Sequence, residues 1–195
     1  MRKFWLLIFP SFALIMASLQ SVRAEEINWA EEAKKIKYLS PDAFPNVPKS
    51  VRVKLTAMRC QIPQADFDSD GTGHEPNNLI KGSFTGKNKA EWAALCSVNK
   101  ESKLVLLYGK NFSRMVELSP TERDQGGLQG SGDGNAYYSW VISTVNPAGV
   151  KHYLKRDGMQ LQNVNHDGIS VGFQGKGSNV RYFYQGKWIE IPGAD

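Results

Sequence analysis

The chain has 195 residues, with 24 Lys+Arg against 19 Asp+Glu and a formal charge of +5. Its length suits one ordinary domain with a real core. Arg2, Lys3 and Arg23 all lie in the first 24 residues, which hold no acid, so the remainder carries only +2. That small excess excludes charge-driven binding of nucleic acid as a reading of the basic composition.

Residues 1–24 read as a cleavable signal peptide. Arg2 and Lys3 precede an apolar run from Phe4 to Leu19, and Val22-Arg23-Ala24 supplies small residues at the two positions a signal peptidase reads. Pro10 interrupts the run, which is shorter than the roughly 20 residues of a spanning helix. Beyond it no apolar stretch reaches that length, so the mature chain is expected to have no transmembrane segment and to be periplasmic or secreted. Residues 25–48 are expected to form an N-terminal helix and a Pro-rich connector, and residues 49–195 a single β-rich domain.

Asn28 followed by Glu31 is a capping pattern, and Ile27, Ala30, Ala33 and Ile36 recur at helical spacing, with Glu31 and Lys35 as a pair four apart. Ser40 to Pro48 contains three prolines and reads as irregular. Val51 to Cys60 fits a helix capped by Ser50, although Val51, Val53 and Leu55 also alternate like a strand. From residue 78 the pattern is β: Leu79–Phe84, Glu91–Ser97, Lys103–Tyr108 and Met115–Leu118. Residues 119–135 contain five glycines and read as a long, mobile surface loop. Tyr137–Val145 reads as one strand. Lys151–Leu154 and Met159–Val164 read as a hairpin around Arg156-Asp157-Gly158, and Val180–Tyr184 with Lys187–Ile191 as another around Gln185-Gly186. The expected fold class is therefore α+β, a mainly antiparallel sheet with one or two N-terminal helices.

Cys60 and Cys96 are the two cysteines. In an exported chain they form one bridge or remain as two buried thiols. Asp66, Asp68 and Asp70 alternate ahead of Gly71, as in loops that wrap calcium, with Glu75 or Asn77 as further oxygen donors. The EF-hand glutamate at the twelfth position is missing, so the stretch is either a calcium site or a solvated acidic loop. No other cofactor pattern is present. His74, His152 and His166 have no metal spacing. No glycine-flanked nucleophilic serine or phosphate loop occurs. Trp92, Trp140, Trp188, Tyr182 and Tyr184 lie in predicted strands, where they serve as core or as a strip that binds glycan or a protein partner.

Two groups of residues carry a resemblance. Cys60-Gln61-Ile62-Pro63-Gln64, Trp92-Ala93-Ala94-Leu95-Cys96-Ser97, His166-Asp167-Gly168-Ile169 and Gly186-Lys187-Trp188 resemble a family of exported bacterial proteins of unknown function. The resemblance implies that both cysteines belong to one framework, and it implies no activity. More loosely, Gly82–Gly86, Glu91–Leu95 and Leu104–Gly109 are similar to FG-GAP-type propeller repeats in strand order, without the acidic loop those repeats carry. The function expected is a non-enzymatic, exported binding module. The alternatives are a hydrolase with a site assembled from scattered residues and a structural protein of the envelope. N-terminal sequencing of the exported protein should begin at Glu25; an intact Met1 would contradict the leader.

Overall fold

The computed structural model describes residues 26–66, 76–131 and 134–194. The expected leader and Asp68, Asp70 and Glu75 of the acidic run lie outside them. Along the chain come α1 (Trp29–Lys35), β1 (Tyr38–Leu39), α2 (Lys49–Ala57), β2 (Ile62–Pro63), β3 (Leu79–Gly82), β4 (Glu91–Val98), β5 (Glu101–Tyr108) and β6 (Arg114–Glu117). Then follow β7 (Glu122–Arg123), β8 (Leu128–Gly130), β9 (Ala136–Tyr138), β10 (Trp140–Val145), α3 (Pro147–Arg156), β11 (Gly168–Phe173), β12 (Ser178–Tyr184) and β13 (Lys187–Pro192). The fold is α+β and mainly antiparallel, as expected.

Local chemistry explains most boundaries. The Asn28 side chain accepts from the Glu31 backbone N–H at 3.3 Å and starts α1. Its ion pairs are three apart, Lys34 to Glu31 and Lys35 to Glu32, each at 2.6 Å, in place of the expected pair four apart. Helix α2 begins after Pro48, not at a Ser50 cap, because proline with its preset φ suits a helix start. Val51 and Leu55, one turn apart, bury the same face. At its end Arg59 turns left-handed at φ 59°, and the Cys60 N–H returns to Leu55 O at 3.0 Å. That stop delivers Cys60 to β4, where it is bonded to Cys96 with the Cα atoms 5.2 Å apart. A closed loop of this length contributes about 4 kcal/mol in the chain-entropy account.

Two tight hairpins follow from their turn residues. Asn99 and Lys100, at φ 55° and 66°, join β4 to β5; Gln185 and Gly186, at φ 48° and 81°, join β12 to β13. Positive φ at both central positions matches the twist of the flanking strands.

Three expectations are corrected. Lys151–Leu154 is not a strand, and residues 159–164 form none: α3 occupies the first and irregular chain the second. Asn146 caps α3 by accepting from the Gly149 N–H at 2.9 Å, and Pro147 sits in its first turn. Arg156-Asp157-Gly158 is its C-terminus: Gly158 is left-handed at φ 65° and the Met159 N–H bonds Leu154 O at 2.8 Å. Residues 119–135 are not a plain loop, since they contain β7 and β8. The expected strand at Tyr137–Val145 is broken at Ser139, whose N–H turns away to Gly127 O at 2.9 Å.

One sheet runs β3-β4-β5-β6, with β7 also against β5; the other runs β10-β11-β12-β13. Alternation sorts their side chains into three cores. Ala93, Leu95, Leu104 and Leu106 of the first sheet meet Trp140, Ile142 and Ile169 of the second in a central core. Behind the first sheet Trp92, Ala94, Cys96, Val105 and Leu107 pack on Val51 and Leu55 of α2. Behind the second, Val180, Tyr182 and Ile191 pack on Val150 and Leu154 of α3. The order of layers is helix, sheet, sheet, helix.

The two sheets meet along β3 and β10, where the most connected side chain is Asn78. Asn78, fully buried, donates to Pro63 O at 2.8 Å and Trp140 O at 3.0 Å, and its Oδ1 accepts from the Ile142 N–H at 2.9 Å. Its own carbonyl accepts from the Leu95 N–H at 2.9 Å. Farther along, Thr144 Oγ1 donates to Lys81 O at 3.0 Å, so the two strands advance side by side in the same direction. Asp167 closes the same junction by accepting from Ser83 N–H at 2.8 Å and donating its own N–H to Ser83 O at 3.0 Å. Asn78→Ala strands several buried backbone groups at about 1–3 kcal/mol each. Urea denaturation should therefore register a loss of about 3 kcal/mol or more; a loss under about 1 kcal/mol would mean that the amide is dispensable.

Candidate functional site

Between the first sheet and the β12–β13 hairpin of the second lies a cleft of about 560 Å³. One wall is the end of β5 and the start of β6, presenting Tyr108, Arg114 and Val116; the opposite wall is the β12–β13 hairpin, presenting Phe183 and Trp188. These side chains point inward by register: Val116 pairs with Leu106 and Arg114 with Tyr108 on β5, and Phe183 pairs with Trp188. The Phe183 and Trp188 rings stand 5.4 Å apart and tilted at 58°.

The floor is polar. Glu91, 1% exposed, accepts from the Thr85 N–H at 2.7 Å and also takes the Thr85 hydroxyl. Lys89 Nζ donates to the carbonyl and the hydroxyl oxygen of Thr85, both at 3.1 Å. Arg114 projects over Gly109, and among the described residues its guanidinium has no hydrogen-bond or ion-pair partner. The cleft thus combines aromatic faces, a free planar cation and a buried carboxylate that is already hydrogen-bonded. Such a mixture of apolar walls and a few fixed polar groups is how small-molecule sites are built.

The five aromatic residues singled out in the sequence do not form one strip. Trp92 is buried against α2 and Trp140 in the central core, where it stacks on Phe173 at 6.3 Å. Tyr182 is buried behind the second sheet, its ring stacked on His166 at 4.3 Å. Tyr184 lies on that same face, and only Trp188 reaches the cleft. Alternation places Phe183 on the face opposite to Tyr182 and Tyr184. His166 is occupied by the backbone oxygens of Asp167 and Phe183, at 3.0 and 2.9 Å. Tyr108, Arg114, Phe183 and Glu91 were not singled out for this cleft in the sequence. Their common signal is position: each lies at a strand end beside a turn, and only the packing of two sheets brings those ends together.

Of the acidic run, Asp66 is described and lines a cavity with Gln64 and Tyr137. Asn77 is not free to serve as a calcium donor. Its amide accepts from Ala65 N–H at 2.9 Å and donates to Ala65 O at 3.0 Å, while Gln64 accepts from the Asn77 N–H at 2.8 Å. Among the described residues no group of three His, Cys, Asp or Glu is placed to hold a metal, and no helix is long and apolar enough to cross a membrane.

A second polar cluster is buried between α1 and β5. Asp124, 1% exposed, accepts from the Tyr38 hydroxyl at 2.8 Å and from the Ser97 hydroxyl. Lys100 Nζ lies 4.0 Å above the Tyr38 ring. Burial first, then the hydrogen bond and charge of Asp124, push the Tyr38 phenol well above its ordinary value. Burial and the same charge push Tyr138 up too, with the neighbouring Ser102 hydroxyl acting the other way. A phenol that holds its proton more tightly when folded contributes stability that is present below pH 10 and lost as pH rises beyond it. The Tyr138 hydroxyl is buried without completing a hydrogen bond, so Tyr138→Phe should leave stability near pH 7 almost unchanged and soften the fall above pH 10. Urea midpoints measured from pH 7 to 11 check this; an unchanged alkaline slope would contradict it.

No family model, no curated protein and no solved structure matches this chain.

Proposed function

We propose that the protein is an exported, non-enzymatic binding module and that its ligand lies in the cleft between β5–β6 and the β12–β13 hairpin. The observation that carries this reading is the convergence of Tyr108, Phe183 and Trp188 around a cavity of about 560 Å³. That volume suits a ligand of about one or two rings. All three rings are half-buried, and aromatic walls of this kind offer large, rigid contact area at low entropic cost, the feature shared by binding surfaces rich in Trp and Tyr. The engaged state of Glu91 supports binding over catalysis, because both of its oxygens are already held by Thr85 and neither awaits a reacting group. The Cys60–Cys96 bond is compatible with an oxidising compartment and supports a periplasmic or secreted location.

Trp188 borders the cavity, so its emission should report occupancy. Titration with a panel of neutral and acidic disaccharides and short peptides should find at least one that shifts the fluorescence and is recovered unchanged. Trp188→Ala should weaken that ligand by about tenfold, equivalent to about 1.4 kcal/mol. A ligand whose affinity ignores Trp188→Ala would place the binding site elsewhere.

A further inference from the structure

Resting on that reading, we infer that the cleft is selective for a saccharide carrying a carboxylate, with the acid group on Arg114 and the sugar ring against Trp188 and Phe183. The first ground is the state of the cations. Arg114 has no hydrogen-bond or ion-pair partner among the described residues, although acidic side chains elsewhere on the same sheet take partners, as Glu117 does with Lys103. A guanidinium is a planar fork that matches a carboxylate through two parallel hydrogen bonds, and one left unpaired at a cavity wall is poised for such a group.

The second ground is the balance of charge around it. Glu91 is the acid that lines the cleft, and Thr85 holds both its oxygens at the floor. Lys89 also lines the cleft, with its ammonium against Thr85 beside that carboxylate. Arg114 therefore remains as the uncompensated charge, and the cavity favours an anion. The third ground is shape. The tilted pair of Phe183 and Trp188 lies across the gap from Tyr108 and Arg114, so a pyranose chair between the walls sets its C–H face against the aromatic rings while an acid substituent at its edge meets the guanidinium. Gly109, at φ 80°, keeps the space beneath Arg114 clear of a side chain.

Calorimetric titration of the full mature protein with a glucuronate-containing disaccharide and with its carboxyl-reduced, neutral counterpart tests the inference. The acidic sugar should bind at least tenfold more tightly, and the advantage should shrink at high salt. Arg114→Gln should abolish the difference between the two sugars, while Arg114→Lys should keep part of it. Inorganic phosphate alone should bind far more weakly than the acidic sugar, since it lacks the ring. Equal affinity of wild-type protein for the two sugars overturns the proposed selectivity and leaves the cleft as a binding site. Failure of both sugars to bind also overturns it, and the Trp188→Ala comparison then decides the cleft on its own. A preference for the acid that survives Arg114→Gln assigns the carboxylate to another group and is equally contradictory.

Discussion

The junction between the two sheets depends on the side chain of Asn78, which is fully buried. Strands β3 and β10 run alongside each other without forming a ladder, and the junction between them is buried. One amide supplies two donors and one acceptor in place of the missing ladder, to Pro63, Trp140 and Ile142. Buried backbone groups must be paired, so the amide substitutes for water where water is excluded. Asparagine also tolerates the left-handed φ of 64° that aims its side chain across the junction. With the sheets fixed along this line, the central core fills the space between them, and the cleft lies between β5–β6 and the β12–β13 hairpin.

The helices and the disulfide serve that geometry from outside. Helix α2 covers the first sheet and ends in a turn that places Cys60 against β4, and Asn77 with Gln64 clamps the chain on either side of the acidic run. The second sheet is covered by α3, whose closing turn packs Met159 beside Leu154. Each sheet is thus held on both faces. The walls of the cleft are strand ends on rigid elements, which favours a preformed site.

Much of the fold was legible because its signals are local. Asn28 before Glu31, Asn99-Lys100 and Gln185-Gly186 each act within a few residues, and the elements around them appear where the sequence places them. Helix α3 departs from the expected hairpin although Asn146-Pro147 and Gly158 mark both of its ends; Arg156-Asp157-Gly158 fits a turn between strands as well as a helix C-terminus, because a left-handed glycine serves both. The cleft was legible only in Trp188. Which aromatic residues face it depends on how two sheets pack, and periodicity assigns a face without saying what covers that face. The Asp124 cluster was invisible for the same reason: Tyr38 and Ser97 reach it from 86 and 27 residues away. Asp66, Asp68, Asp70 and Glu75, the sharpest local pattern, lie largely outside the described residues, and the described neighbour Asn77 is committed to Ala65.

We propose above all that a ligand lies between β5–β6 and the β12–β13 hairpin. Amide chemical-shift mapping of the isotope-labelled mature protein, with an acidic disaccharide added stepwise, tests it most directly. The predicted result is a set of shifts confined to residues around Thr85–Glu91, Tyr108–Val116 and Phe183–Trp188, with α2 and α3 undisturbed. Shifts centred on α3 or on the cavity beside Asp124, with the cleft residues unmoved, would contradict it.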